Sequence, residues 1–522
     1  MRVASWSMFC SFSSMVAFLA FTACSRTGDS GASGTAAPSE GSASPSTTAA
    51  PKTLTDAAIR QAVVDELFRS PHARDGAIIV ACTDGVVELT GTVNNLLAKD
   101  RAVAITESVR GVRAVSDRIR VAPVARSDSE LVKAVETALL YDPAADAYKV
   151  NVSSTEGLVR LTGSVDSWEE RRLSERLARG VRGVRAVQND ITVNVFRNRS
   201  DAEVQRDVQS RLHWDTFVKD GLIDVKVADG NVRLSGTVGS AAEKSQAYYD
   251  AWVRGARHVD ASELKVDAWA RDDRLRGQKY AHKSDPEIAA AVKDALVYDP
   301  RIDSSNVYTR ADGGVLTLSG RVRSVKERLA AESVALHTVG VRGVHNELDV
   351  QPGKAVTDTE LTARLKASLA ASPVLDGSGI DAAVSHGEAT LSGRVPTLFD
   401  SAEAVDIANS LEGVTKVTNR LTVTSPEIAY VWVEHVFPFG PYVDKGSFVG
   451  TEPAQQDKDI LANIERELER SPFVDADQVH VEVHQGKATL KGTVDSWRER
   501  ATATENAYEG GAIAVDNQLK VG

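Results

Sequence analysis

Stretches in which apolar and polar residues alternate recur six times along this chain, each between two glycines six residues apart. In the first copy Val87 and Leu89 alternate with polar residues between Gly85 and Gly91. Alternation of period two that opens on a turn glycine is typical of a half-buried β-strand. The second glycine lies inside the strand, where glycine usually marks a bulge or the close approach of another backbone. The six strand glycines are Gly91, Gly163, Gly236, Gly320, Gly393 and Gly492.

A helix start follows each of these strands, because Asn, Ser or Thr stands four residues after every strand glycine. In four copies a Glu three residues further on predicts a capping box, and Asp400 predicts a weaker one. Another helix precedes each strand pair, with apolar residues at helical spacing such as Leu131, Val135 and Leu139. A last strand closes each copy. The pattern therefore predicts the order helix, strand, strand, helix, strand.

These motifs resemble those of the BON domain (bacterial OsmY and nodulation). The matching features are the G-x-V-x-L-x-G-x-V strand, the Ser-capped helix, and a closing G-V-x-x-V-x-N-x-L-x-V that is nearly literal from Gly413 to Val423. We expect an α+β fold: a tandem array of six small two-layer αββαβ modules, each a mixed three-stranded sheet covered by two helices.

The spacing of the copies sets the predicted boundaries. The predicted modules are 54–122 (module 1), 127–195 (module 2), 200–267 (module 3), 284–351 (module 4), 357–424 (module 5) and 457–522 (module 6). A charged linker is expected at 268–283 and an aromatic-rich insertion at 425–456.

The first 53 residues carry the features of an export signal. An apolar run at residues 15–21, too short to span a bilayer, ends in Phe21-Thr22-Ala23-Cys24. This resembles a bacterial lipoprotein signal, which implies a signal peptide at 1–23 and a lipid on Cys24. Plain signal cleavage and an uncleaved anchor are the alternatives. Residues 24–53 follow as the lipidation cysteine and a linker rich in Gly, Ala, Ser, Thr and Pro, a composition typical of flexible chain.

The net charge of the chain and the motifs it lacks limit the classes of function that it can have. A formal net charge of −11 argues against a role in which the whole molecule is attracted to nucleic acid or to anionic lipid, and leaves room only for local basic faces. We find no nucleophile elbow, phosphate-binding loop or zinc motif, and the BON resemblance implies a binding module. We therefore expect no enzymatic activity and no cofactor.

Two segments are candidate membrane or partner contacts. The insertion holds Trp432, Phe437, Phe439 and Tyr442, which either insert at a membrane interface or pack as a hairpin on neighbouring modules. The second helix of module 2 carries Arg171, Arg172, Arg176 and Arg179, which either bind anionic headgroups or form an exposed face balanced by glutamates.

His480, Glu482 and His484 alternate along one predicted strand of module 6. Side chains at alternate positions share a strand face, so these three could hold a divalent metal. A solvated strand face explains them equally simply, and we do not favour the metal site.

The resemblance implies a periplasmic protein that is lipid-anchored to the cell membrane, with the outer membrane favoured by Ser25 after the cysteine. The expected partners are phospholipid membranes or cell-envelope proteins, possible settings being osmotic or envelope stress. The alternative function is a rigid structural spacer or a protein or peptidoglycan scaffold. A metal- or ion-binding sensor is the third hypothesis.

Overall fold

The computed structural model describes residues 54–69, 77–142, 147–194, 199–271, 279–299, 301–353, 356–375, 379–424 and 456–521. Within these ranges the chain forms six modules of two helices and a three-stranded mixed sheet, which confirms the predicted fold class. None of the described helices is both long enough and apolar enough to cross a membrane.

The helices begin where the caps predict. The first helices of modules 1 to 6 are Asp56–Arg69, Asp128–Tyr141, Asp201–Trp214, Asp285–Val297, Asp358–Ala371 and Asp457–Arg470. The second helices are Leu96–Glu107, Trp168–Arg179, Ala241–Asp250, Val325–Leu336, Leu398–Ser410 and Trp497–Glu509. Their N-caps are the predicted residues Asn95, Ser167, Ser240, Ser324, Thr397 and Ser496.

Each sheet is built on a central strand. The first strands are Ala77–Thr83, Val150–Thr155, Ile223–Ala228, Val307–Asp312, Gly379–Ser385 and Val479–His484. The central strands are Val86–Val93, Leu158–Val165, Asn231–Val238, Val315–Val322, Glu388–Val395 and Lys487–Val494. The last strands are Ala114–Val121, Ala186–Val193, His258–Val266, Gly343–Val350, Lys416–Val423, and in module 6 the pieces Ala514–Asn517 and Lys520–Val521. The central strand is antiparallel to the first strand and parallel to the last, which the second helix connects to it.

The strand glycines lie where two backbones meet. A Cβ added to Gly320 would stand 2.0 Å from the carbonyl oxygen of Asn306, the residue before its partner strand. The φ of Gly320 is +116°, a region that side chains with a Cβ rarely adopt. The other five strand glycines have the same conformation and the same close carbonyl. The predicted close approach is confirmed.

Each module buries its own apolar cluster. In module 2 the core combines Leu131, Val135 and Leu139 of the first helix with Val159 and Leu161 of the central strand. Separate clusters of the same make-up occupy the other five modules. The described residues thus form six small cores and not one continuous core.

An aspartate at the start of every first helix ties that helix to the hairpin. The carboxylate of Asp285 accepts hydrogen bonds from the backbone N–H groups of Gly313 and Gly314, at 2.9 and 2.8 Å. These bonds lower the pKa of Asp285. The equivalent aspartates Asp56, Asp128, Asp201, Asp358 and Asp457 make the same pair of bonds. The sequence pattern did not predict this role.

The prediction about the capping boxes was partly wrong. Thr397 and Asp400 form the reciprocal box, although Asp400 was expected to be the weaker case. Where the third residue of a second helix is Glu, as in Glu327, its carboxylate accepts from the residue before the cap, here the N–H of Arg323 at 2.8 Å. In the first helices Glu at the same position does close the reciprocal box, as Glu130 does with Ser127, so the length of the side chain alone does not decide which N–H group it meets.

Three pairs of modules are joined by backbone hydrogen bonds at their helix ends. The backbone N–H of Arg110 in module 1 donates to the carbonyl of Arg470 in module 6 at 2.9 Å. Arg182 of module 2 donates in the same way to Ala371 of module 5 at 3.0 Å. In the third pair Val339 of module 4 donates to Trp214 of module 3 at 2.9 Å. In each pair the end of a second helix meets the end of a first helix, so one kind of contact is used three times.

Candidate functional site

Five of the predicted site residues lie outside the described residues. They are the lipidation cysteine and the aromatic side chains of the insertion: Cys24, Trp432, Phe437, Phe439 and Tyr442. Their predicted roles stay predictions.

Arg179 and Arg172, on the second helix of module 2, contact neighbouring modules. The Nε of Arg179 donates to Asp100 of module 1 at 2.8 Å, and its Nη2 bonds the other carboxylate oxygen. The guanidinium of Arg172 stands over the ring of Tyr249 in module 3, 4.2 Å from its centroid. Both side chains are half-buried. These two arginines therefore join modules to one another.

The other two arginines of this helix are also half-buried. Arg171 donates to the carbonyl of Asn189 in its own module at 2.9 Å. Arg176 lies close to Arg172 and to Arg301 of module 4. Binding of anionic headgroups by these side chains stays a prediction. Arg176, like Arg172 and Arg179, lies close to other modules, whereas the contacts of Arg171 are within module 2.

The strand triplet of module 6 has an ordinary explanation. His480 and His484 are exposed, and Glu482 between them accepts a hydrogen bond from Lys491 at 2.7 Å. Across the described ranges, no group of three or more His, Cys, Asp or Glu side chains could hold a metal ion. The geometry gives the metal hypothesis no support.

A cavity of about 1070 Å³ lies where the modules meet. Its wall comes almost wholly from helices of modules 1, 2, 3 and 5, with Lys326 added by module 4 and Phe473 by module 6. Alanines contribute much of this wall: Ala98, Ala104, Ala134, Ala138, Ala242, Ala367, Ala370 and Ala371. Because alanine side chains are short, the facing helices leave this space open.

Aromatic rings pack against one another between modules 2 and 3, and Trp168 and Tyr248 also line the cavity. Trp168 of module 2 stacks on Trp252 of module 3, with ring centroids 3.5 Å apart and an angle of 7° between the ring planes. Tyr248 meets the ring of Trp252 edge-on at 6.2 Å. Trp168 is thus a contact between modules.

Two carboxyl groups in the cavity wall have a pKa raised well above the ordinary value of a glutamate. Burial raises the pKa of Glu107 to about 7, and a hydrogen bond from Ser245 of module 3 at 2.9 Å lowers it only in part. Burial also raises the pKa of Glu403 in module 5 to about 7, with Asp406 adding to the rise. Both side chains therefore change charge near neutral pH.

Positively charged side chains of several helices line the same wall. Burial lowers the pKa of Arg101 in module 1 to about 10 and that of Arg176 in module 2 to about 9. Lys326 of module 4 pairs with Asp406 at 2.9 Å. The wall therefore combines apolar side chains with many charged ones of both signs.

Comparison with known proteins gives one family. The family model described as the BON domain matches residues 55–123, 127–195, 200–268, 284–352, 357–425 and 456–522. The described elements of all six modules lie within these matches, apart from the short turn Ala268–Arg271 at the end of module 3.

Two curated proteins are similar in sequence to part of this chain. "Osmotically-inducible protein Y" of Escherichia coli (strain K12) is 30% identical over 145 residues, which are 26% of this chain and 72% of that protein. "Uncharacterized protein in gshII 5'region" of Anaplasma centrale is 30% identical over 122 residues, 23% of this chain and 77% of that protein. Among solved structures, CdsD, a structural protein of the type III secretion system of Chlamydia trachomatis, is 16% identical. It covers 38% of this chain and 88% of its own, at a TM-score of 0.12, which indicates nothing about function.

Proposed function

Because this chain belongs to the BON domain family, with six copies in tandem, we propose that it is a non-enzymatic binding protein of the bacterial cell envelope. The lipoprotein-like sequence around Cys24 supports export and a periplasmic position on a lipid anchor, with the outer membrane favoured. The similarity to an osmotically inducible protein supports a role in osmotic or envelope stress.

The observation that carries the proposal is the pairing of modules through their helix ends. Helices line the cavity between modules. The sheet faces that no helix covers are therefore available to contact the surface of a membrane or of another protein. Several residues there are well exposed, among them Ile79 at 66% and Tyr308 at 66%. Modules held at fixed spacing can engage one surface together, which raises the overall affinity of weak contacts. The partner in this proposal is a phospholipid membrane surface or an envelope protein.

Flotation with vesicles tests the membrane part. The whole chain carrying Cys24→Ser, which cannot be acylated, is mixed at low salt with vesicles of anionic or of zwitterionic lipid. We expect it to float with the anionic vesicles and to be released by salt, because the attraction between charges is screened. If the protein stays at the bottom with both kinds of vesicle, contact with phospholipid is excluded and a protein partner is left.

The predicted contact residues are tested in the same assay. One variant replaces Trp432, Phe437, Phe439 and Tyr442 by Ala, and Tyr148→Ala, at an exposed position in the short turn before the first strand of module 2, is its control. Loss of flotation in the first variant alone would assign the contact to the insertion. Equal flotation of both variants and the parent would remove the insertion from the proposal.

Labelling tests the anchor. Cells that express the parent chain are grown with radioactive palmitate, and Cys24→Ser is the control. We expect the label on the parent only and in the outer-membrane fraction. A parent chain without label would point to plain signal cleavage or to an uncleaved anchor.

The second candidate function is a structural spacer or scaffold that binds protein or peptidoglycan. The direct bonds between modules favour it, since they hold the array together without a ligand. Solution scattering of the chain separates the cases. A profile of one particle of constant shape supports the spacer, and a profile of independently moving modules contradicts it.

A further inference from the structure

We propose that the joint between modules 3 and 4 is a pH-sensitive contact that opens as the pH rises, because two acidic side chains lie together inside it. Asp215 directly follows the first helix of module 3, and Asp250 is the last residue of its second helix. These two side chains form the acid pair. The contact joins two modules of this chain, so the inference does not depend on which partner the proposed function requires.

The joint itself is a short pairing of two backbones. An isolated β-bridge connects Asp215 to module 4. On one side of the bridge the N–H of Thr216 donates to the carbonyl of His337 at 3.0 Å. On the other side the N–H of Val339 donates to the carbonyl of Trp214 at 2.9 Å. Because Asp215 is the bridging residue of module 3, a change in the charge of its side chain takes place next to both bonds.

The two carboxyl groups share one hydrogen-bond donor. The side-chain amide of Gln246 donates to Asp215 at 2.9 Å and to Asp250 at 3.4 Å. Asp250 is only 1% exposed, and its Oδ2 is buried without a hydrogen-bond partner among the described residues. A buried carboxylate oxygen that meets no donor is costly when it is charged, so burial favours the protonated form of Asp250.

Module 4 covers the acid pair. A cavity of about 110 Å³ is lined by both aspartates and by residues of module 4. These residues include Ala291 and Ala295 of its first helix, and His337 and Thr338 at the end of its second helix. Separation of the two modules would therefore bring water to the acid pair.

Two positively charged side chains face the acid pair. Nη2 of Arg211, on the first helix of module 3, donates to Asp250 at 3.0 Å. Lys279, in the predicted linker, is 2% exposed. Its ammonium group donates to the carbonyl of Leu212 at 2.7 Å and lies 3.3 Å from Asp220. The charge of Lys279 is therefore shared between Asp220 and the acid pair.

The other titratable groups around the acid pair belong to both modules. His337 is neutral, because burial and the positive charges of Arg498 and Arg301 lower its pKa well below the usual value. Arg301 binds both carboxylate oxygens of Asp299, at 3.0 and 2.8 Å. The remaining titratable groups are Glu243 beside Lys279, and in the cavity wall Arg172, Tyr249, Asp294 and Tyr298. The acid pair thus faces charges of both signs.

The sum of these contacts favours a proton on Asp250. Burial raises its pKa to about 7, the neighbouring Asp215 adds to the rise, and Arg211 and Lys279 offset it only in part. Burial also raises the pKa of Asp215. When the joint opens, water returns the pKa of Asp250 towards its ordinary value of 3.8. The stabilisation of the closed joint is therefore complete below about pH 3.8 and is lost as the pH rises to about 7.

Hydrogen exchange followed by mass spectrometry measures opening of the joint in the whole chain carrying Cys24→Ser. The reporters are peptides that contain the amides of Thr216 and Val339. After correction for the intrinsic exchange rate at each pH, their protection should fall by about tenfold between pH 6 and pH 8, as a pKa of about 7 in the closed joint and 3.8 in the open joint requires. A peptide of the central strand of module 3, Asn231–Val238, is the internal reference and should keep its protection.

Three variants assign the effect to the acid pair. Asp250→Asn has no charge to gain, so the protection of the reporter amides should change by less than about twofold over the same pH range. Asp215→Asn removes the other member and should also reduce the pH dependence, which keeps the test decisive if Asp250→Asn does not fold. Asp224→Asn, at an exposed position in the first strand of module 3, is the matched control and should behave like the parent.

Three results would overturn the proposal. The first is constant protection of the reporter amides in the parent chain from pH 6 to pH 8. The second is a pH dependence as large as that of the parent in a folded Asp250→Asn or Asp215→Asn variant. The third is an equal loss of protection in the central strand of module 3, because it would show that the whole module unfolds and that the joint does not open by itself.

Discussion

Replacement of Gly320 by alanine should open the hairpin of module 4 far more than the same replacement elsewhere in that module. The new Cβ would stand 2.0 Å from the carbonyl oxygen of Asn306. Carbon and oxygen atoms that are not bonded approach to about 3.3 Å. The first and central strands, which pair Val307 with Gly320, must therefore separate by roughly 1 Å or the alanine must leave its φ of +116°.

The magnitude follows from these two distortions. Holding alanine in such a sparsely populated backbone region costs about 1 to 3 kcal/mol. Displacement of the strand removes one or two backbone hydrogen bonds, each of which contributes about 1 kcal/mol. We expect the free energy of opening of this hairpin to fall by about 2 to 5 kcal/mol, which corresponds to roughly thirtyfold to a few thousandfold faster amide exchange.

Two glycines of the same module provide matched controls. Gly313 has a φ of +56° with nothing within 4 Å of its added Cβ, so Gly313→Ala should cost only about 1 kcal/mol. Gly343 has neither a positive φ nor a close neighbour, and Gly343→Ala should be neutral or stabilising by less than about 1 kcal/mol.

Hydrogen exchange followed by mass spectrometry measures all three variants on peptides from module 4. The expected order of exchange is Gly320→Ala fastest, then Gly313→Ala, with Gly343→Ala near the parent. Equal exchange in Gly320→Ala and Gly313→Ala would refute the reasoning, because it would mean that the carbonyl contact has no energetic consequence.

Three further predictions concern charge and packing. The pKa of Glu403 is about 7 in the folded chain and ordinarily 4.5, so ionisation of this side chain opposes folding increasingly as the pH rises from about 4.5 to 7. Glu403→Gln should therefore raise the free energy of unfolding in urea by about 2 kcal/mol at pH 8 and change it little at pH 4. The pKa of Asp285 is lowered instead, so its carboxylate contributes stability above its ordinary pKa of 3.8, and this stability is lost as the pH falls. Asp285→Asn should lower the melting temperature at pH 7, and the difference from the parent should vanish in acid. Trp168→Ala removes the stack on Trp252 and should destabilise the chain by about 2 kcal/mol in urea unfolding, more than Trp497→Ala at the matching position of module 6 does.

The sequence determined the fold of each module. Alternation around Val87 and Leu89, the cap at Asn95 and the glycine at Gly91 each act on their near neighbours or on the adjacent strand, so a short stretch of chain contains the whole signal. The role of Asp285 could have been found as well, because an aspartate opens every first helix and stands 29 residues before a turn glycine, as at Gly314. Neither position indicates these bonds when it is taken alone, because the contact joins residues that are 29 positions apart in the chain.

Only the tertiary structure decided how the modules meet. The periodicity of a helix shows which face is apolar, and it assigns the opposite face to solvent by default. In module 2 that polar face meets other modules, so Arg172 and Arg179 lie against Tyr249 and Asp100. Contacts such as that between Arg110 and Arg470 join residues far apart in the chain, and each depends on the shapes of two complete modules. The cavity exists for the same reason: alanine is an ordinary helix former in the sequence, and it leaves open space only where helices of several modules face one another.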